Sequence, residues 1–180
     1  MNLKPQILLT VIVTIFPSLT EAQAPENTSD KEQSVFGGED ETVVHPIKVP
    51  PGVLEILRKD KQVLRYLDAE QKAAHELTTE PFLASEIHLD GPNEIDVIVM
   101  GEGRLRGANV VTFWLFRKLA DEYRLVLKAT AQSLLVLRAR WNGFRIISAG
   151  SPIAGSSVEV FYRFDGKQYQ YYRKKSEPIH

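Results

Sequence analysis

Two groups of side chains in this chain have residue types and spacings suited to chemistry. Glu86, His88 and Asp90 stand at alternate positions, so on a strand they share one face, where two carboxylates and an imidazole could serve as an acid–base group. Gly101-Glu102-Gly103-Arg104-Leu105-Arg106-Gly107 has the glycines of a phosphate-cradling loop. Neither group is complete. A phosphate loop needs a helix directly after it, whose N-terminus meets the anion. This loop runs instead into the β-branched and aromatic stretch Val110-Val111-Thr112-Phe113-Trp114. The histidines are His45, His75, His88 and His180, and neither H-E-x-x-H nor G-x-S-x-G occurs. Asp90, Asn93 and Asp96 bring oxygens close together, but calcium takes about six to eight, and Asx-rich turns commonly bond their own backbone. The reading is therefore against an enzyme. No catalytic residue, metal or cofactor is assigned, and the rival is a hydrolase using Glu86, Asp90 or Asp96 without a recognisable motif.

Binding is the chemistry that remains. Arg104 and Arg106, in a glycine-rich loop, are suited to a carboxylate or phosphate on a partner. Aromatic side chains are concentrated in Phe113-Trp114, Phe116, Phe161-Tyr162, Phe164, Tyr169 and Tyr171-Tyr172, and Arg117, Arg163 and Arg173 are interleaved with them. One alternating set must be core. If Tyr162 and Phe164 face opposite ways, the tyrosines and Trp114 form an exposed row that could stack a glycan or a single-stranded nucleic acid; cross-strand packing is the other account.

Periodicity indicates the helices and strands that carry these residues. Gly52 opens a helix whose Val53, Leu57, Leu64 and Leu67 make one apolar stripe. After Pro81 the period becomes that of strands, and about eight are expected between Phe82 and Arg173, joined by short turns that compel antiparallel neighbours. The expected fold is α+β, an N-terminal helix packed on a twisted antiparallel β-meander. Two stretches of the meander read alike, Asp96 to Leu127 and Arg145 to Tyr172, which suggests an internal duplication. In such a meander the loops Gly101 to Asn109, Ala129 to Ala131 and Gly150 to Ser157 emerge at one end. The expected binding site is there, with Arg104 and Arg106 as charged contacts and Ser151, Ser156 and Ser157 as polar ones.

Composition sets the address. Lys4, the apolar stretch Ile7 to Phe16 and the small-residue end Thr20-Glu21-Ala22 follow signal-peptide order, so residues 1–22 are read as a leader and the working protein as secreted or periplasmic. After cleavage no transmembrane segment is expected. There is no cysteine, hence no disulfide framework, and an exported domain of this kind must rely on its apolar core. From Pro25 to Thr42 six acids face one lysine, whereas from Val43 onward twenty Lys/Arg face sixteen Asp/Glu. Residues 23–51 are accordingly read as a disordered acidic tail and Pro-rich connector, and 52–180 as one globular domain.

A resemblance rests on Asp90-Gly91-Pro92-Asn93-Glu94-Ile95-Asp96-Val97-Ile98-Val99, Arg106-Gly107-Ala108-Asn109, Asn142-Gly143-Phe144 and Tyr162-Arg163-Phe164-Asp165-Gly166-Lys167-Gln168-Tyr169. Over roughly Phe82 to Tyr169 the chain resembles exported bacterial β-rich proteins of unassigned function, and in style it is similar to FG-GAP-type β-repeats. It departs from those repeats where Pro92 and Ile95 interrupt their calcium-holding acids. The resemblance implies export and β architecture and names no activity. The expected function is a non-enzymatic extracytoplasmic binding or inhibitor-like domain that recognises a protein or envelope polymer, not nucleic acid, with a structural envelope component as a further rival.

Overall fold

A computed structural model describes residues 34–37 and 43–179. The expected leader, 1–22, lies outside them, as do 23–33 and 38–42 of the acidic tail. The described residues are mostly antiparallel β-sheet, with two short helices. In place of one meander of eight strands, the described residues form ten strands in two five-stranded sheets. The first sheet holds β2 (Pro46–Ile47), β3 (Phe82–Ile87), β4 (Asp96–Gly101), β5 (Val111–Leu119) and β6 (Glu122–Ala131), in that order. The second holds β1 (Val35–Gly37), β7 (Ser133–Trp141), β8 (Phe144–Ile153), β9 (Ser156–Phe164) and β10 (Tyr169–Pro178). A single sheet would have left β4 and β5 half wet, yet both carry apolar residues on both faces, and residues of that kind require a layer on each side.

One layer is the second sheet. Ile98, Met100, Phe113 and Leu115 share a buried cluster with Leu134, Ile147, Ala149 and Phe164. The other layer is helical: α1 (Pro51–Leu57) and α2 (Lys61–Ala69) bury Val53, Leu57, Val63 and Leu67 against Val97, Val99, Trp114 and Phe116. The single expected helix is thus two. Asp60 makes the break, because its carboxylate accepts from Gln62 N at 2.8 Å and Val63 N at 3.3 Å, which starts a new helix. The break also rephases the stripe. Val63 faces inward, and Leu64, expected in the core, is 37% exposed.

The expected disordered tail fails at residues 35–37. They pair with β7, and Phe36 is fully buried opposite Leu134. The ordered unit therefore begins before the expected boundary at Gly52, since β1 and β2 each edge a sheet.

The two sheets match in register as well as in strand order. Ile47 pairs with Ala84 as Phe36 does with Leu134, Glu86 with Val97 as Val136 does with Ile147, and Val97 with Phe116 as Ile147 does with Tyr162. The last ladder of each skips one residue at the same place, Val126 on β6 and Tyr172 on β10. On this correspondence Arg117 is matched by Arg163. The stacking is front to back. The helix-facing side of the first sheet, with Val97 and Phe116, corresponds to the side of the second sheet that meets the first, with Ile147 and Tyr162. The front of the first sheet, with Ile98, Phe113 and Leu115, corresponds to the outermost face of the second, with Ser148, Glu159 and Phe161. Among the described residues no helix lies over that outer face.

Candidate aromatic and arginine face

The outer face of the second sheet collects rings and guanidinium groups from three strands. Trp141 ends β7, where Asn142 and Gly143, both at positive φ (50° and 84°), make the two-residue turn into β8. Arg163 on β9 lies between two rings, its guanidinium carbon 4.0 Å from the Trp141 centroid and 3.2 Å from that of Tyr172. Tyr172 is the extra residue of the β10 bulge, and the bulge is what turns it toward this face. Arg173 covers Phe161 at 4.4 Å and approaches Tyr172 at 5.8 Å. Trp141 remains 44% exposed. From Arg138 to Ile179 eight Lys/Arg face three Asp/Glu, so these strands are strongly basic.

Arg117 shows what the corresponding position does inside the stack. Its guanidinium lies over Phe144 at 4.7 Å and Phe164 at 5.6 Å, and it donates to Asp90 Oδ2 at 2.6 Å. Arg163 has the rings without the carboxylate. No acidic side chain among the described residues lies within ion-pair distance of it, and the Nε of both arginines is buried with no hydrogen-bond partner.

The residues expected at the loop end are brought to the same end of the sheets but to different layers. Val111, at the close of the glycine-rich loop, pairs with Ala131, and Gln132 N then donates to Gly150 O and Ser151 Oγ. Arg104 and Arg106 belong to the helix layer, where Arg104 pairs with Glu70 and Arg106 with Glu102. An open groove of about 360 Å³ there is lined by Tyr66, Glu70, Glu80 and Arg104, among others. Ser156 and Ser157 lie on the second sheet, paired with Pro178 and Glu177 of β10.

The acid–base candidates are engaged separately. His88 Nδ1 contacts Glu94 O at 2.7 Å, Asp90 pairs with Arg117, and Glu86 is exposed. Asp96 is fully buried and ties down the loop before it, accepting from Leu89 N through Oδ2 and from Lys118 N through Oδ1. Burial pushes its carboxyl up to about 6, against those two amide bonds. Asp90 Oδ2 is taken by Arg117 and both Asp96 oxygens by amides. Among the described residues no group of three or more His, Asp or Glu is arranged to hold a metal, and no helix is long and apolar enough to cross a membrane.

Sequence reasoning found part of the ring row and missed its anchor. Arg163, Arg173 and Tyr172 are in it. Trp114 is fully buried beneath the helices, and Arg117 lies between the sheets. Tyr162 and Phe164 face the same way, toward the first sheet, as alternate residues of one strand must. The signal for Trp141 was its place at a strand end beside the Asn-Gly turn. Compared with known protein families, curated proteins and solved structures, the chain shows no significant match.

Proposed function

We propose that this protein is a non-enzymatic, extracytoplasmic binding domain, and that its binding surface is the outer face of the second sheet. One observation carries the reading: no further layer among the described residues covers this face, and it holds a Trp141–Arg163–Tyr172 sandwich where the corresponding face of the first sheet holds buried aliphatic and aromatic side chains. Aromatic and arginine side chains are those most enriched at recognition surfaces. The matched registers of the two sheets support an internal duplication, in which one copy kept its front face for packing and the other turned it outward. Export, read from residues 1–22, puts envelope polymers and envelope proteins within reach of this face.

The protein carries its own reporter. Of its two tryptophans, Trp114 is fully buried and Trp141 is exposed, so acrylamide quenching reads mainly Trp141. Envelope polymer and protein fractions that bind should protect Trp141 from the quencher. Binding that leaves its quenching unchanged would move the site to the loop end, with Arg104, Arg106 and Ser151, Ser156 and Ser157, and would refute the face.

A further inference from the structure

We propose that Arg163 is an oxyanion receptor and that the outer face binds an anionic glycan, with a carboxylate or phosphate on the guanidinium and a sugar ring against Trp141. The inference rests on reading that face as the binding surface, and it names what the surface takes. Its basis is the pair of corresponding arginines. Each has its plane fixed by two rings, Arg117 by Phe144 and Phe164 and Arg163 by Trp141 and Tyr172. Arg117 spends its donors on Asp90, which the chain itself supplies. Arg163 has no acidic partner among the described residues, so its guanidinium charge is left for an anion that a ligand supplies. Stacking holds the planar fork in place before the anion arrives, so less rotamer freedom is lost on binding than for a free arginine.

Charge selects the class of partner. Arg138 to Ile179 carry eight Lys/Arg against three Asp/Glu, and this excess of positive charge favours an anionic partner over a second copy of the same strands. The rings select further. Trp141 and Tyr172 are exposed, and an indole or phenol plane accepts the flat C–H face of a sugar, which an aspartate or glutamate side chain does not offer. A glycan bearing acids meets both conditions at once.

The test is Trp141 quenching titrated with four polymers: a polyuronate, a sugar-phosphate polymer, neutral dextran and polyglutamate. Protection by the polyuronate shows a carboxylate ligand and protection by the sugar-phosphate polymer a phosphate; either supports the inference if binding weakens with salt. Arg163→Gln should weaken that binding about tenfold or more, and Arg163→Lys should weaken it as well, because an ammonium lacks the fork. Arg65→Gln, the same charge loss on the exposed side of α2, should leave it unchanged. Thermal unfolding checks the variants, and the lysine variant carries the comparison if the glutamine one does not fold. Equal protection by dextran, protection by polyglutamate as strong as by the glycans, or wild-type affinity in both Arg163 variants would overturn the inference. If envelope fractions protect Trp141 and neither anionic glycan does, the binding face stands and this inference falls.

Discussion

Asp60 starts a helix and ties that helix to a strand with one side chain, so removing it has a calculable effect. Its carboxylate caps α2 through Gln62 N and Val63 N, and it also takes both oxygens to Lys128 Nζ at 2.8 Å, which ties the helix layer to β6. Losing an N-cap to alanine costs about 1 kcal/mol. The ion pair is partly exposed at Lys128 and adds about 0–1 kcal/mol after solvent screening. Asp60→Ala should therefore cost about 1–2 kcal/mol, and Asp60→Asn, which keeps a capping oxygen, only the ion-pair share. Urea unfolding followed by tryptophan fluorescence suits the measurement, because Lys128 also lies 5.4 Å from the centroid of the buried Trp114 ring. The pH dependence has a definite sign. Burial alone raises the Asp60 carboxyl, but Lys128, Trp114 and the Gln62 amide outweigh it and hold it below the ordinary 3.8. Its stabilisation is present above that value and is lost as pH falls through the lowered folded one, so Asp60→Asn should flatten the acid limb of the stability curve. Equal losses in the alanine and asparagine variants would show that the cap contributes nothing and that the helix break has another cause.

The same structure sets three further outcomes. Leu57→Ala empties a fully buried site under α1 and should cost about 2–5 kcal/mol, whereas Leu64→Ala should cost under about 1 kcal/mol; equal effects in chemical denaturation would mean α2 is turned differently. Asp96, raised to about 6 by burial, should withdraw about 3 kcal/mol of stability as pH climbs from its unfolded value near 3.8 through about 6, and Asp96→Asn should lose that slope; a wild-type curve flat between those values would show the carboxylate is comfortably ionised. Gly143→Ala puts a Cβ at φ +84° and should cost about 1 kcal/mol by thermal unfolding, while Gly91→Ala, with open space and no positive φ, should be nearly neutral; parity between the two would refute the turn assignment.

Much of the fold was local and therefore legible. Alternation of apolar and polar residues after Pro81, broken by Asn142-Gly143 and Asp165-Gly166, marks antiparallel strands in short hairpins wherever they sit. Val53 and Leu57 mark a helix with one apolar side by spacing alone. Residue-type matching of the two stretches aligned Phe113 with Phe161, whereas the ladders set Leu115 against Phe161, because Val97 pairs with Phe116 as Ile147 does with Tyr162.

Which face each strand buries, and against what, was settled only in three dimensions. Periodicity says that Phe113 and Trp114 point apart; it does not say that one meets a second sheet and the other a helix, since both neighbours come from elsewhere in the chain. The same holds for the arginines. Arg117 and Arg163 read alike in sequence, each in an aromatic strand, but Asp90 reaches Arg117 only because the front of the first sheet is closed by the second. No element among the described residues closes the front of the second sheet, so Arg163 and Trp141 are left on its surface. The layer a residue belongs to is a long-range property, and it separates a cation enclosed between the sheets from one at the surface.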